Sequence, residues 1–140
     1  MFYTLSMATN TVHLNWNPEK QFILSDRDDY QVIMKKPGGV SGSDLLPMSL
    51  IGCASFDVVE ILRKQRQDLR ELQVTAESIQ DENPPWRFRK IHIRYRAVGK
   101  GIDPEKLRKA IQISEEKYCS VYATLKDAIE ITHDFEVMET

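Results

Sequence analysis

The sequence predicts an α+β domain organised around one long, buried helix. Two patterns carry that expectation. From Leu45 to Leu62 the chain is apolar almost all round, broken by Asp57 and Glu60, as in a helix covered on every side. After it lie stretches with the two-residue alternation of half-buried strands, "LQVTAESI" and "KIHIRYRAV". The elements run β-β-β, long α, β-β, α-α, β, strands grouped apart from helices, which is the α+β arrangement.

Taken in order, "TVHLNW" and "QFILS" flank the turn-like "NPEK" and predict a hairpin. "YQVIMKK" (30–36) is a third strand, ended by the glycine-rich loop "PGGVSGS" (37–43). Ser43 is a suitable N-cap for the long helix and Asp44 favours its positive end, while Pro47 falls in the first turn, where it removes few hydrogen bonds. A helix over 44–67 would span roughly 35 Å. "LQVTAESI" (72–79) and "KIHIRYRAV" (90–98) alternate as strands, the second with Ile91, Ile93, Tyr95 and Ala97 on one face. Asp103-Pro104 is an N-cap followed by proline at the first helical position, and that helix turns Leu107, Ala110 and Ile111 inward. Ser114 reads as the cap of a further helix holding Cys119, and "AIEITHDFEVM" closes the chain as a strand.

These elements make one domain, 1–140: strands in 1–36, the central helix in 44–67 and an α+β part in 72–140. One sheet covers only one face of an all-round apolar helix, so a second copy is expected to cover the rest in an intertwined homodimer. A chain of 140 residues buries roughly two thirds of its unfolded surface and needs no staples.

With 41% hydrophobic and 29% charged residues and a net charge of −2, the chain has no basic excess to displace counterions, which argues against nucleic acid as a partner. "RKQRQDLR" (63–70) and "WRFRK" (86–90) are flanked by acids and read as solvated surface. No apolar run approaches the ~20 residues of a membrane helix, and "MFYTLSMATN" lacks the basic start of a signal peptide. Two cysteines and no signal point to the reducing cytoplasm, where a persistent disulfide is unexpected. His13, His92 and His133 fall at solvent-facing positions of strands, and no two of the five cysteines and histidines have zinc-ligand spacing.

The cysteines stand 66 residues apart, Cys53 in the long helix and Cys119 in "SEEKYCSVYATL". A free cysteine often packs as a small hydrophobe. A reactive one must be ionised, and an unperturbed thiol has a pKa near ~8.5. Cys53 lies too deep in its helix for the dipole to help, burial works against ionisation, and Asp57 one turn on opposes it further. Cys53 therefore needs a cation, for which Lys35, Lys36 and Arg27 are the candidates. On helix dipole alone Cys119 would be the more acidic thiol.

"GSDLLPMSLIGCASFDVVEILRKQRQDL" (42–69) resembles the central helix of the osmotically-induced-protein/organic-hydroperoxide-resistance (OsmC/Ohr) family, and "ISEEKYCSVYATL" (113–125) resembles its second cysteine segment. The similarity runs from about Gln31 to Val137 and includes the "DPEKL" helix start. The resemblance implies a swapped homodimer with each long helix wrapped by antiparallel sheets of both chains. It implies thiol-dependent reduction of peroxides, organic hydroperoxides above all, with Cys53 the peroxidatic and Cys119 the resolving thiol. It implies no metal or other cofactor, and an external thiol or dithiol as reductant. The family's peroxidases carry a glutamate ten residues before the first cysteine, where this chain has Ser43; Asp44 is the nearest carboxylate and the candidate for that role. They also hold the thiolate with an arginine from the segment before the helix, and none lies between Tyr30 and Cys53. Phe56, Tyr118 and Tyr122 are candidates for an apolar substrate pocket, or for core. The other reading left open is a non-catalytic, small-molecule-binding or redox-sensing dimer of the same fold.

Overall fold

The computed structural model describes residues 7–19, 21–35 and 37–140. The chain forms two compact units, Met1–Leu45 and Leu46–Thr140.

The first unit is an antiparallel meander of β1 (His13–Asn15), β2 (Phe22–Ser25) and β3 (Gln31–Met34). Asp26 shapes the turn between β2 and β3: its Oδ1 accepts from the N–H groups of Asp28 and Tyr30 at 2.8 and 2.9 Å. Such local side-chain acceptors are why aspartate favours turns. A 3-10 turn, Gly42–Asp44, precedes the long helix. Ser43 lies inside that turn and is not the N-cap expected of it.

In the second unit α1 (Leu45–Lys64) is followed by the hairpin of β4 (Asp68–Gln80) and β5 (Phe88–Lys100), α2 (Pro104–Ile113), a π turn (Ser114–Tyr118), α3 (Ser120–Leu125) and β6 (Glu130–Glu139). β5 is the central strand, antiparallel to β4 and parallel to β6. The sheet is thus mixed, where purely antiparallel sheets were expected. A parallel neighbour requires a crossover, and the segment 101–129 with its helices supplies it.

The core follows the sequence periods. Leu50, Ala54, Val58 and Leu62, four residues apart along α1, join Ile91, Ile93, Tyr95 and Ala97 of β5 and Leu107, Ala110 and Ile111 of α2 in one cluster. Asp103 caps α2 by accepting the N–H of Glu105 at 2.9 Å. At the end of α1, Arg66 takes a left-handed φ of 58°, while the N–H groups of Arg66 and Gln67 donate to the carbonyls of Arg63 and Leu62. That is the paired-bond ending usually built on glycine.

Within one chain α1 leaves a side uncovered: Met48 and Phe56 are exposed, Phe56 by 80%. One expectation about α1 is corrected: Gly42–Lys64, at 23 residues and a mean hydropathy of 1.7, is long and apolar enough to cross a membrane by length and composition. Here one stripe of it supplies the core.

Candidate functional site

Cys53 lies midway along α1, half-buried and packed against the core cluster. Cys119 belongs to that cluster and is 2% exposed. Both are free thiols, and Cys53 is near enough to Cys119 to raise its thiol. Cys53 Sγ also lies 4.0 Å from Ser120 Oγ, beside Cys119 in the chain. The fold therefore brings together two sulfurs 66 residues apart in sequence.

The backbone that presents Cys119 differs from expectation. Ser114 does not start a helix; it continues α2 with φ −56° and ψ −50° into the π turn. The N–H of Cys119 donates to the Ser114 carbonyl at 2.8 Å, a bond five residues back that closes the turn. Cys119 then leaves the helix with φ −78° and ψ 101° and serves as N-cap of α3, its sulfur accepting the Tyr122 N–H at 3.4 Å.

Polar groups gather near Cys119. Ser114 is fully buried, and its hydroxyl donates to Asp57 Oδ2 at 2.9 Å. Glu115 Oε1 is 2.9 Å from Nδ1 of His133. The Tyr95 hydroxyl is buried without a partner among the described residues, and the Tyr95 and His133 rings meet edge to face at 6.3 Å.

Burial pushes the Cys119 thiol up to about 11, a rise the Tyr122 N–H opposes and the neighbouring Cys53 adds to. Burial, first, and then Glu115, the Cys119 sulfur and Asp57 hold the Tyr95 phenol well above its ordinary value. The Glu115 hydrogen bond raises His133 against the effect of its burial. Burial, with Cys53 adding to it, thus keeps Cys119 protonated at neutral pH.

Of the other expected residues, Phe56 and Tyr118 line a common cavity of about 400 Å³ with Asp57. Neither cysteine lines that cavity, and Tyr122 packs instead against the core. Arg27, in the turn after β2, Lys35, after β3, and Asp44 belong to the first unit. Lys36 lies outside the described residues. No group of three or more histidines, cysteines and carboxylates that could hold a metal occurs among the described residues.

His92 and His133 are not the exposed residues expected. His92 meets Thr132 Oγ1 at 2.6 Å and Asp134 Oδ2 at 2.9 Å, and His133 meets Glu115. The alternation Ile131, His133, Phe135, Val137 was the signal for His133, since the three apolar residues pack on the core.

The model of the OsmC-like protein family matches residues 35–134. The chain belongs to the OsmC-like family. Its relatives include protein YhfA of Escherichia coli K12, 31% identical over 128 residues that cover 89% of this chain and 96% of that protein. A solved structure of a hypothetical protein from Aquifex aeolicus VF5 is similar at 28% identity and a TM-score of 0.82, covering 96% of this chain and 99% of that one. An OsmC protein of Legionella pneumophila, described as an organic hydroperoxide resistance and predicted redox protein, shares the fold at 12% identity. Its TM-score is 0.64, with 95% of this chain and 100% of that one covered. The mixed α+β architecture with sheets and a long helix is thus that of OsmC-like proteins.

Proposed function

We propose that this OsmC-like chain is a cytoplasmic, homodimeric thiol peroxidase that reduces organic hydroperoxides through Cys53 and Cys119. The observation that carries the reading is the meeting of the two thiols, one half-buried and one buried, from distant segments. The hydroperoxide resistance attributed to the Legionella relative supports the substrate class.

The Cys53 thiolate attacks the outer peroxide oxygen; the O–O bond breaks, Cys53 becomes a sulfenic acid, and the alkoxide takes a proton and leaves as alcohol. Cys119 then attacks the Cys53 sulfur, and its thiol proton leaves with the hydroxyl as water. Two electrons and two protons from an external dithiol restore the pair. Burial raises the Cys119 thiol, which leaves the first attack on peroxide to Cys53; Cys119 must give up its proton as it attacks the sulfenic acid. The cation that Cys53 requires is assigned to Arg27, Lys35 or Lys36, with Asp44 as the accompanying carboxylate. Phe56 and Tyr118 are assigned to the tail of the peroxide, and Tyr122 to the backing of Cys119. The second copy covers the exposed side of α1, with strands 1–36 exchanged or packed between the chains.

One observation favours the alternative, a binding or redox-sensing dimer without turnover: burial holds the Cys119 thiol well above its ordinary value, which opposes a thiolate there. The test is thiol counting after one equivalent of cumene hydroperoxide. A peroxidase loses both thiols and two hydrogens of mass, and Cys119→Ser accumulates a sulfenic acid on Cys53. Retention of both thiols over minutes selects the alternative.

A further inference from the structure

We propose that Asp57 and Ser114 form a clamp that sets the dithiol–disulfide equilibrium of Cys53 and Cys119, making Asp57 a positioning residue for the pair. The inference rests on the two cysteines being redox partners, and not on peroxide being their oxidant.

Asp57 stands one helical turn after Cys53, on the same face of α1. Ser114 reaches it with its hydroxyl at 2.9 Å and holds Cys119 with its carbonyl at 2.8 Å. One buried serine therefore ties the helix of the first thiol to the backbone of the second. The π turn is the geometric consequence. Its extra residue lets Cys119 leave the helical path while its N–H stays bonded to Ser114. The circuit closes through the sulfurs and the 4.0 Å contact of Cys53 with Ser120.

A buried serine bonded to a carboxylate would also stabilise the fold if it had nothing to do with the thiols. The two roles separate thermodynamically. A bond of equal strength in reduced and oxidised protein changes stability and leaves the redox equilibrium alone. A bond that favours the juxtaposition of the sulfurs shifts both, and by reciprocity the disulfide must strengthen the clamp.

The full chain is equilibrated with mixtures of reduced and oxidised dithiothreitol. The oxidised form takes two electrons and two protons from the cysteine pair, and free thiols are counted by alkylation and mass. Ser114→Ala is expected to lower the oxidation equilibrium constant by about five-fold or more. Asp57→Asn, which keeps a neutral acceptor, lowers it less and decides the matter if Ser114→Ala does not fold. Ile102→Val, a buried core change at the opposite end of α2 from Ser114, lowers stability and leaves the constant in place. The melting loss caused by Ser114→Ala is larger in oxidised than in reduced protein. An unchanged or increased constant in a folded, destabilised variant overturns the clamp. A wild-type chain that forms no disulfide in the most oxidising mixture overturns the pairing itself. A pair that dithiothreitol oxidises and hydroperoxide does not ends the peroxidase reading and leaves the clamp in place.

Discussion

Glu115 on the π turn and His133 on β6 form a close pair, Oε1 to Nδ1 at 2.9 Å, with 16% and 29% of their side chains exposed. His133 occupies a core-facing position of its strand, where a neutral imidazole could simply pack; the carboxylate opposite favours the charged form instead.

The pH dependence of stability follows. The hydrogen bond from Glu115 raises the His133 pKa above its unfolded value near 6.5. Folding therefore gains from the proton, fully so below the unfolded pKa, and that contribution is lost as pH rises through the folded one. Urea midpoints of the wild type are expected to fall between about pH 6 and the alkaline side of neutrality, with His133→Gln flat over the same window. A wild-type profile as flat as the variant's contradicts the pairing.

The two thiols should differ in reactivity. Cys119 is 2% exposed and pushed up to about 11, whereas Cys53 is half-buried. Brief treatment of the reduced protein with iodoacetamide near neutral pH should add one label, and peptide mass mapping should place it on Cys53. A label on Cys119 before Cys53 contradicts the assignment of roles.

Phe56 is 80% exposed and shares a face of α1 with Met48 and Gly52, at spacings of four residues. A large aromatic ring left to water at the centre of a long apolar helix is what an interface needs. Phe56→Lys is expected to convert a two-chain particle to a single chain in sedimentation equilibrium. An unchanged two-chain mass, or a wild type that is already a single chain, rules out this face as the contact.

Arg66 ends α1 in the left-handed region, where an L side chain costs about 1–2 kcal/mol and glycine does not. Glycine loses about 0.5–1 kcal/mol more entropy on folding, so Arg66→Gly should gain a net of roughly 0.5–1 kcal/mol. Denaturant unfolding with an unchanged m-value measures it; a loss of stability would mean that the Arg66 side chain makes a contribution larger than the backbone term.

What could be read in advance was local in origin. The alternation of Ile91, Ile93, Tyr95 and Ala97 names the buried face of β5 correctly because that pattern has a period of two and the pairing with β4 runs without a shift across these residues. The inward set Leu107, Ala110 and Ile111 and the Asp103 cap are likewise properties of a few consecutive residues. What could not be read depends on distant partners. Ser114 followed by two glutamates has the form of a helix start, and it is overridden by an acceptor on Asp57, 57 residues away. The direction of β6 is set by the path of 101–129, which the alternation inside β6 does not encode. The nearness of Cys53 and Cys119 was legible only by resemblance, since no spacing rule links a thiol in a long helix to one beyond a π turn.

The parallel pairing of β5 with β6 bears on how the molecule comes to be. The β4–β5 hairpin joins neighbours in sequence, but His92 and Thr132 meet only after a closure over 40 residues. Loop entropy makes such a closure the slower event. The π turn and Cys119 ride on the segment that closes, so the meeting of the two thiols is expected among the last features of the fold to form. A chain caught early carries Cys53 on a formed helix with no neighbour to meet it, open to overoxidation.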